Sequence, residues 1–226
     1  KDLDVTSKAL EKSKSEAKSG NKEKTKRRDS LEKIKKILEE NKLLLGGLDE
    51  EESKIASETG LLTYKPMLVV FNISEQELAS GWQPDKELKK TLGKIPYLSA
   101  PIAVEASIAE TESLAERQEL YELSGIAETG LKQLIRKSYD VLGLITFFTT
   151  GEDETRAWTI PVESTAPRAG HAIHSDFEEK FIRAEVIHWD KLLAAGSRAK
   201  ARELGWLRTE GKEYTVKDGD VIEFRI

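Results

Sequence analysis

Asn72 and Glu75 stand three residues apart, directly after the apolar run Met67-Leu68-Val69-Val70-Phe71. An asparagine amide offers both a donor and an acceptor, and a glutamate carboxylate offers acceptors only. Together they suit the polar edge of a purine base. A continuous apolar run rich in β-branched residues predicts a strand buried on both faces, as in a parallel sheet. Ligands of open α/β sheets sit outside the carboxyl ends of such strands. The same residues, Asn72-Ile73-Ser74-Glu75, also fit a turn closed by Asn72 and a helix opened by Glu75. Both readings stay open on these residues alone.

Other residues offer less. His171 and His174 are spaced like metal ligands, but no third ligand stands near them. No Ser–His–acid order emerges from the three histidines, and cysteine is absent, which excludes disulfides and thiolate metal sites. Trp82, Trp158, Trp189 and Trp206 suit either stacking on bases or packing in cores and domain contacts. Arg156, Arg183, Lys191, Arg198, Lys200, Arg202 and Arg208 could face RNA. Arg198, Lys200 and Arg202 lie two apart on an expected helix, so they do not share one face. A scattered solvated surface fits these residues as well.

Charge is unevenly placed. Residues 1–45 carry 14 Lys and Arg against 9 Asp and Glu, whereas residues 46–125 carry 7 against 15. A basic arm on an acidic body suggests a surface that meets phosphate, and Lys22, Lys24, Lys26, Arg27 and Arg28 cluster near its tip. A solvated helical arm is the alternative. Charged residues make up 34% of the 226. No apolar run approaches the ~20 residues of a membrane span, and no apolar leader follows the charged start, so the cytoplasm is the default location and no membrane partner is expected. The chain begins at Lys1 without an initiator Met, which fits processing or a piece of a longer protein.

The elements that must position these residues follow from periodicity. Leu3, Leu10 and Ala17 recur every seven residues, and Ser19-Gly20-Asn21 breaks the pattern. Leu31, Ile34, Leu38 and Leu45 resume it, with Asn41 on the same seam. This predicts an antiparallel helical hairpin with a thin seam, ended at Gly46-Gly47 and more mobile than the rest. A short helix from Asp49 to Gly60 precedes the apolar strand. Helices are expected over 74–79 and 85–92, a second parallel strand at Ile102-Ala103-Val104, a loop at Glu105-Ala106-Ser107, and helices over 111–123 and 130–142. Residues 144–150 read as a strand and 155–160 alternate, so the two form a hairpin about Gly151-Glu152-Asp153. A helix over 171–180, capped by Ser175 and Glu178, comes next. Extended 181–187, two short helices, and strands at 207–211, 213–216 and 221–226 with a turn at Asp218-Gly219 complete a β-grasp-like domain.

Asn72-Ile73-Ser74-Glu75 resembles the base-reading Asn-Lys-x-Asp of GTPases, with Ile for Lys and Glu for Asp, the variant of the Obg-like ATPase (YchF) family. The resemblance extends through 142–149 and 156–160, Ile173-His174-Ser175-Asp176-Phe177-Glu178, 181–187 and Asp218-Gly219-Asp220-Val221-Ile222-Glu223-Phe224, which are similar to the family's TGS domain. It implies an α/β and α+β chain in three parts: a coiled-coil arm over 1–60, the C-terminal part of a P-loop NTPase domain over 61–140, and a β-grasp TGS domain over 141–226. It further implies a base site of Asn72, Ile73, Glu75, Ala106 and Ser107, with Glu105-Ala106 where the family has Ser-Ala. RNA-binding candidates are Lys22, Lys24, Lys26, Arg27, Arg28, Arg156, Arg183 and Arg198. ATP or GTP with Mg²⁺ is the implied cofactor of the intact protein, and the ribosome or RNA its partner.

No Gly-x-x-x-x-Gly-Lys-[Ser/Thr] occurs in the sequence, and no Asp-x-x-Gly follows an expected strand as the magnesium side requires. The expectation is therefore the C-terminal portion of a YchF-type ATPase, its phosphate-binding half absent, with no nucleotide bound and no hydrolysis by this chain alone. The alternative is a non-enzymatic RNA- or ribosome-binding TGS module with a basic arm.

Overall fold

The computed structural model describes residues 1–17, 21–151 and 154–226. The break expected at Ser19-Gly20 and the turn residues Glu152-Asp153 lie outside them. Residues Lys1–Met67 and Leu68–Ile226 form two compact units.

In the first unit α1 (Asp2–Ala17) packs on α2 (Lys22–Glu39), and α3 (Glu50–Glu58) packs on α2 as well. Asn21 caps α2, accepting from the Glu23 amide at 2.9 Å. Asp49 and Glu52 cap α3 reciprocally, satisfying N–H groups at the helix start. The expected helical pair is present, but its seam is not the expected one. In α1 the inward residues are Asp2, Thr6, Leu10 and Ser13, whereas Leu3 is 37% exposed. Leu31, Ile34 and Leu38 of α2 are buried as expected. The helix stops at Glu39, so Leu45 falls beyond it and is exposed, Asn41 turns with φ 55°, and Leu44 takes the buried place. Ile55, Ala56 and Leu61 close a third side of this core. A thin seam without a second layer is thus corrected to a three-helix core. Asp2 fastens α1 to the chain after α3: its Oδ2 accepts from the Thr63 amide at 2.7 Å and hydroxyl at 2.8 Å. Burial pushes this carboxyl up, but the Thr63 and Leu62 hydrogen bonds outweigh it and hold it below the ordinary value.

The second unit begins with a parallel pair, β1 (Val69–Asn72) and β2 (Tyr97–Ala100), in register from Val69 opposite Tyr97 to Asn72 opposite Ala100. Between them lie α4 (Glu75–Ala79) and α5 (Lys86–Leu92). After β2 come α6 (Ile102–Ala109), α7 (Leu114–Leu123) and α8 (Gly130–Leu142). β1 is not buried on both faces: Phe71 rests between the rings of Trp82 and Tyr97, while Val70 is 40% exposed.

The rest is a five-stranded sheet of order β4-β3-β7-β5-β6, made of β3 (Leu144–Thr150), β4 (Thr155–Pro161), β5 (Arg183–His188), β6 (Arg208–Glu210) and β7 (Asp220–Arg225). β3 and β4 pair along seven residues, and β7 lies parallel to β3. The helix expected over 171–180 is two, α9 (Ala166–His171) and α10 (Ser175–Glu179), with His174 rather than Ser175 at the cap. They pack closely: a Cβ on Gly170 would lie 2.9 Å from that of Phe177. Phe147, Phe177 and Phe181 meet Phe224 edge-on, with centroids 5.9–6.4 Å apart. The strand expected at 213–216 is a single bridge, Thr165 to Thr215. α11 (Trp189–Ala195) and α12 (Arg198–Glu203) flank β5 and β6.

Candidate nucleotide-base site

β1 and β2 end side by side, so Asn72 and Ala100 define one carboxyl-end rim. The Ile73 amide donates to Ala100 O at 3.1 Å and continues the ladder. The Ile73 side chain is buried, so at the position of the GTPase lysine this residue fixes the strand end instead of reaching outward. Asn72 is exposed, and its Oδ1 accepts from the Ile102 amide at 3.4 Å, a long bond to the first turn of α6. Its amide N–H groups make no hydrogen bond among the described residues.

The start of α4 decides what Glu75 is for. Ser74 is its N-cap, and the reciprocal acid is Glu77. Glu77 Oε2 accepts from the Ser74 amide at 2.7 Å, and these bonds lower the Glu77 carboxyl below its ordinary value. Capping is thereby complete without Glu75, which is exposed and makes no ion pair or hydrogen bond among the described residues.

Ala106 and Ser107 do not lie in a loop after a strand. The strand expected at 102–104 is the first turn of α6, and β2 lies earlier. Pro101 is the N-cap of that helix, where its missing N–H removes no helical bond. Ala106 lines an apolar recess of about 360 Å³ with Val70, Leu98, Ala100, Ile102 and Leu134. Glu105, one residue earlier, holds two elements together. Its Oε1 accepts from the Gly130 amide at 2.7 Å, at the start of α8. A Cβ on Gly130 would lie 2.4 Å from that of Ala100, so glycine there lets α8 begin against the strand end. The Ser-Ala dipeptide expected at Glu105-Ala106 stands instead at Ser99-Ala100, at the tip of β2. Those two residues are present in the sequence as a Ser-Ala pair, ahead of the apolar run that marks 102–104 as a strand.

The basic candidates scatter. In the arm, Arg27 pairs with Glu58 at 2.9 Å, Lys26 with Glu51 at 3.8 Å and Arg28 with Asp29 at 2.6 Å. Lys22 and Lys24 form no ion pair among the described residues. Arg156 lies 4.4 Å over the Trp158 ring, and Arg183 is exposed at the start of β5. Arg198 stands 3.0 Å from Glu223 and Arg202 2.8 Å from Glu185, so both are held to the sheet. His171 pairs with Glu178 and His174 accepts from the Asp176 amide. Among the described residues no three His, Cys, Asp or Glu side chains cluster as metal ligands. No described helix is long and apolar enough to cross a membrane.

Residues 144–226 match the family model YchF-GTPase_C, described as a protein of unknown function (DUF933). The chain is 45% identical over 200 residues to the ribosome-binding ATPase YchF of Bacillus subtilis, covering 86% of this chain and 54% of that protein. It is 39% identical over 227 residues to that of Escherichia coli O157:H7, covering 99% of this chain and 62% of that protein. A solved Schizosaccharomyces pombe YchF GTPase superposes with TM-score 0.84 at 27% identity, over 99% of this chain and 62% of that one. These matches correct the reading of a C-terminal portion, of a partial P-loop-type domain, and of a function defined by an absent phosphate-binding half. Similarity to YchF proteins runs through the chain from end to end, helical arm included. The chain spans about 62% of the length of most of these relatives.

Proposed function

We propose that this chain is a YchF-type, ribosome-associated nucleotide-binding protein, and that the carboxyl ends of β1 and β2 read the purine base. One observation carries the reading: Ser74 and Glu77 complete the cap of α4 without Glu75, so Glu75 and the Asn72 side-chain N–H groups stand unengaged at a rim between parallel strands. The relatives named ribosome-binding ATPases support the nucleotide and the ribosome as partners. The Asn72 amide can donate to N7 of either purine, and its Oδ1 can accept from the 6-amino group of adenine. Ser99 and Ala100 form the opposite rim, in place of Ala106 and Ser107.

Adenine is favoured over guanine. Adenine carries an acceptor at N1 and no 2-amino group, so the paired contact that an aspartate makes to guanine does not form. Glu75 is one methylene longer than aspartate and does not take the same pose. A relaxed site discriminates weakly, by about 1–3 kcal/mol. The test is competition between labelled ATP and GTP for the protein produced from its whole reading frame. Asn72→Ala should weaken both nucleotides, and Ile73→Lys with Glu75→Asp should move the preference toward GTP. An unchanged ratio in the double variant would mean that these residues only form a turn and a helix start.

A further inference from the structure

A recess of about 290 Å³ opens beside β7, lined by His188, Lys191, Trp206, Arg208, Lys217 and Asp220. It is at the small end of ligand pockets, which hold about 300–1,000 Å³, so it suits one planar group with its charge and not a folded partner. Its floor is rigid. Asp220 is 1% exposed and accepts from the Tyr214 hydroxyl at 2.7 Å and the Lys217 amide at 2.9 Å. Arg208 donates to Tyr214 at 3.0 Å and to Glu210 at 3.0 Å, and lies 3.8 Å from Asp220. His188 is engaged by Asp190 at 2.7 Å. Trp206 packs on Ile187, Ala201 and Val221 while also lining the recess.

Against this fixed background, Lys191 and Lys217 are exposed and make no ion pair among the described residues. Arg198 and Arg202 on the neighbouring helix are by contrast tied to sheet carboxylates. Two unpaired ammonium groups beside a supported indole combine phosphate attraction with a stacking surface, the pairing used by single-strand binders. We infer that this recess holds one nucleotide of single-stranded RNA, its base on Trp206 and its phosphate between Lys191 and Lys217. The inference rests on the ribosome-associated reading proposed above, with the RNA of the ribosome as the partner.

The test titrates a fluorescein-labelled 12-nucleotide oligoadenylate RNA with the wild-type protein at several salt concentrations, followed by anisotropy. Each phosphate neutralised on a single strand contributes about 0.7 to the slope of log K against log salt, so Lys191→Ala with Lys217→Ala should flatten it by roughly 0.7. Trp206→Leu should weaken binding about 5- to 150-fold with the slope unchanged, and Trp206→Phe should recover part of the loss. Lys86→Ala on α5 should change neither. Should Trp206→Leu fail to fold, the exposed lysine pair still decides. Wild-type slope and affinity in the lysine double variant would overturn the recess and leave the RNA reading standing. AMP competing as well as the 12-mer would replace the strand by a free nucleotide and overturn it too. No binding by the wild-type protein would sink both.

Discussion

The helical arm and the β-grasp domain each have their own apolar core, and they differ in what is buried with it. The arm buries Asp2, Thr6, Ser13, Ser30 and Glu52 beside its leucines. The β-grasp core is Phe147, Phe181, Phe224 and aliphatic residues, and its buried acid, Asp220, accepts two hydrogen bonds at Oδ2 and has Arg208 3.8 Å from Oδ1. In the arm the satisfaction is uneven. Glu52 is held by Lys33 at 2.9 Å and by the Asp49 amide, whereas the Thr6 hydroxyl is buried with no partner. A polar seam holds two helices in register without adding much stability, while rings interlocked on a sheet make a platform.

The largest expected effect lies in the platform. Phe147→Ala empties the centre of the sheet and should cost about 3–5 kcal/mol in denaturant unfolding. Hydrogen exchange over residues 1–67 should be unaltered. Equal acceleration there would show one cooperative body and break the contrast.

Tyr214→Phe probes the partnered acid. It removes a donor from buried Asp220 and should cost about 1–2 kcal/mol. The Tyr214 hydroxyl is pushed up to about 12, first by burial and then by the Asp220 acceptor. A raised value means that the stabilisation is complete below the ordinary tyrosine value of about 10 and is lost as pH climbs through about 12. Unfolding measured from pH 9 to 12 should therefore slope in the wild type and lose that part of the slope in the variant. Identical profiles would remove Tyr214 from the platform.

The smallest effect has the opposite sign. Thr6→Val keeps the shape and removes an unpartnered hydroxyl, so the arm should gain about 1 kcal/mol. A loss instead would show that the hydroxyl is satisfied in solution, and the contrast between the two cores would narrow.

The same difference explains what is legible in the sequence. The apolar and β-branched run 144–150 followed by alternation in 155–160 announces the hairpin, because alternate residues of β4 meet one face. Periodicity fails in α1, where two of the four inward residues are Thr6 and Ser13, and an apolar heptad through Leu3 and Ala17 is more regular than the real seam. At the proposed base site Asn72 and Glu75 are legible as residues and Ser99-Ala100 is not. Tyr97-Leu98-Ser99-Ala100 carries no apolar run, while Ile102-Ala103-Val104 does, and Pro101 opens a helix where a strand is expected. The roles of Glu77 and Glu105 depend on partners that only the folded chain supplies.

α8 is pinned at both ends. Glu105 grips its first amide against the tip of β2, and near its other end the Tyr139 hydroxyl meets Thr159 of β4 at 3.1 Å. Thirteen residues at 1.5 Å each make a strut of about 20 Å. It is a single rigid span with no loop inside it, so the strand tip at Ala100 and the hairpin at Thr159 share one bearing. The rim proposed to meet a base is thus tied to the edge of the β-grasp sheet through one helix rather than through flexible chain.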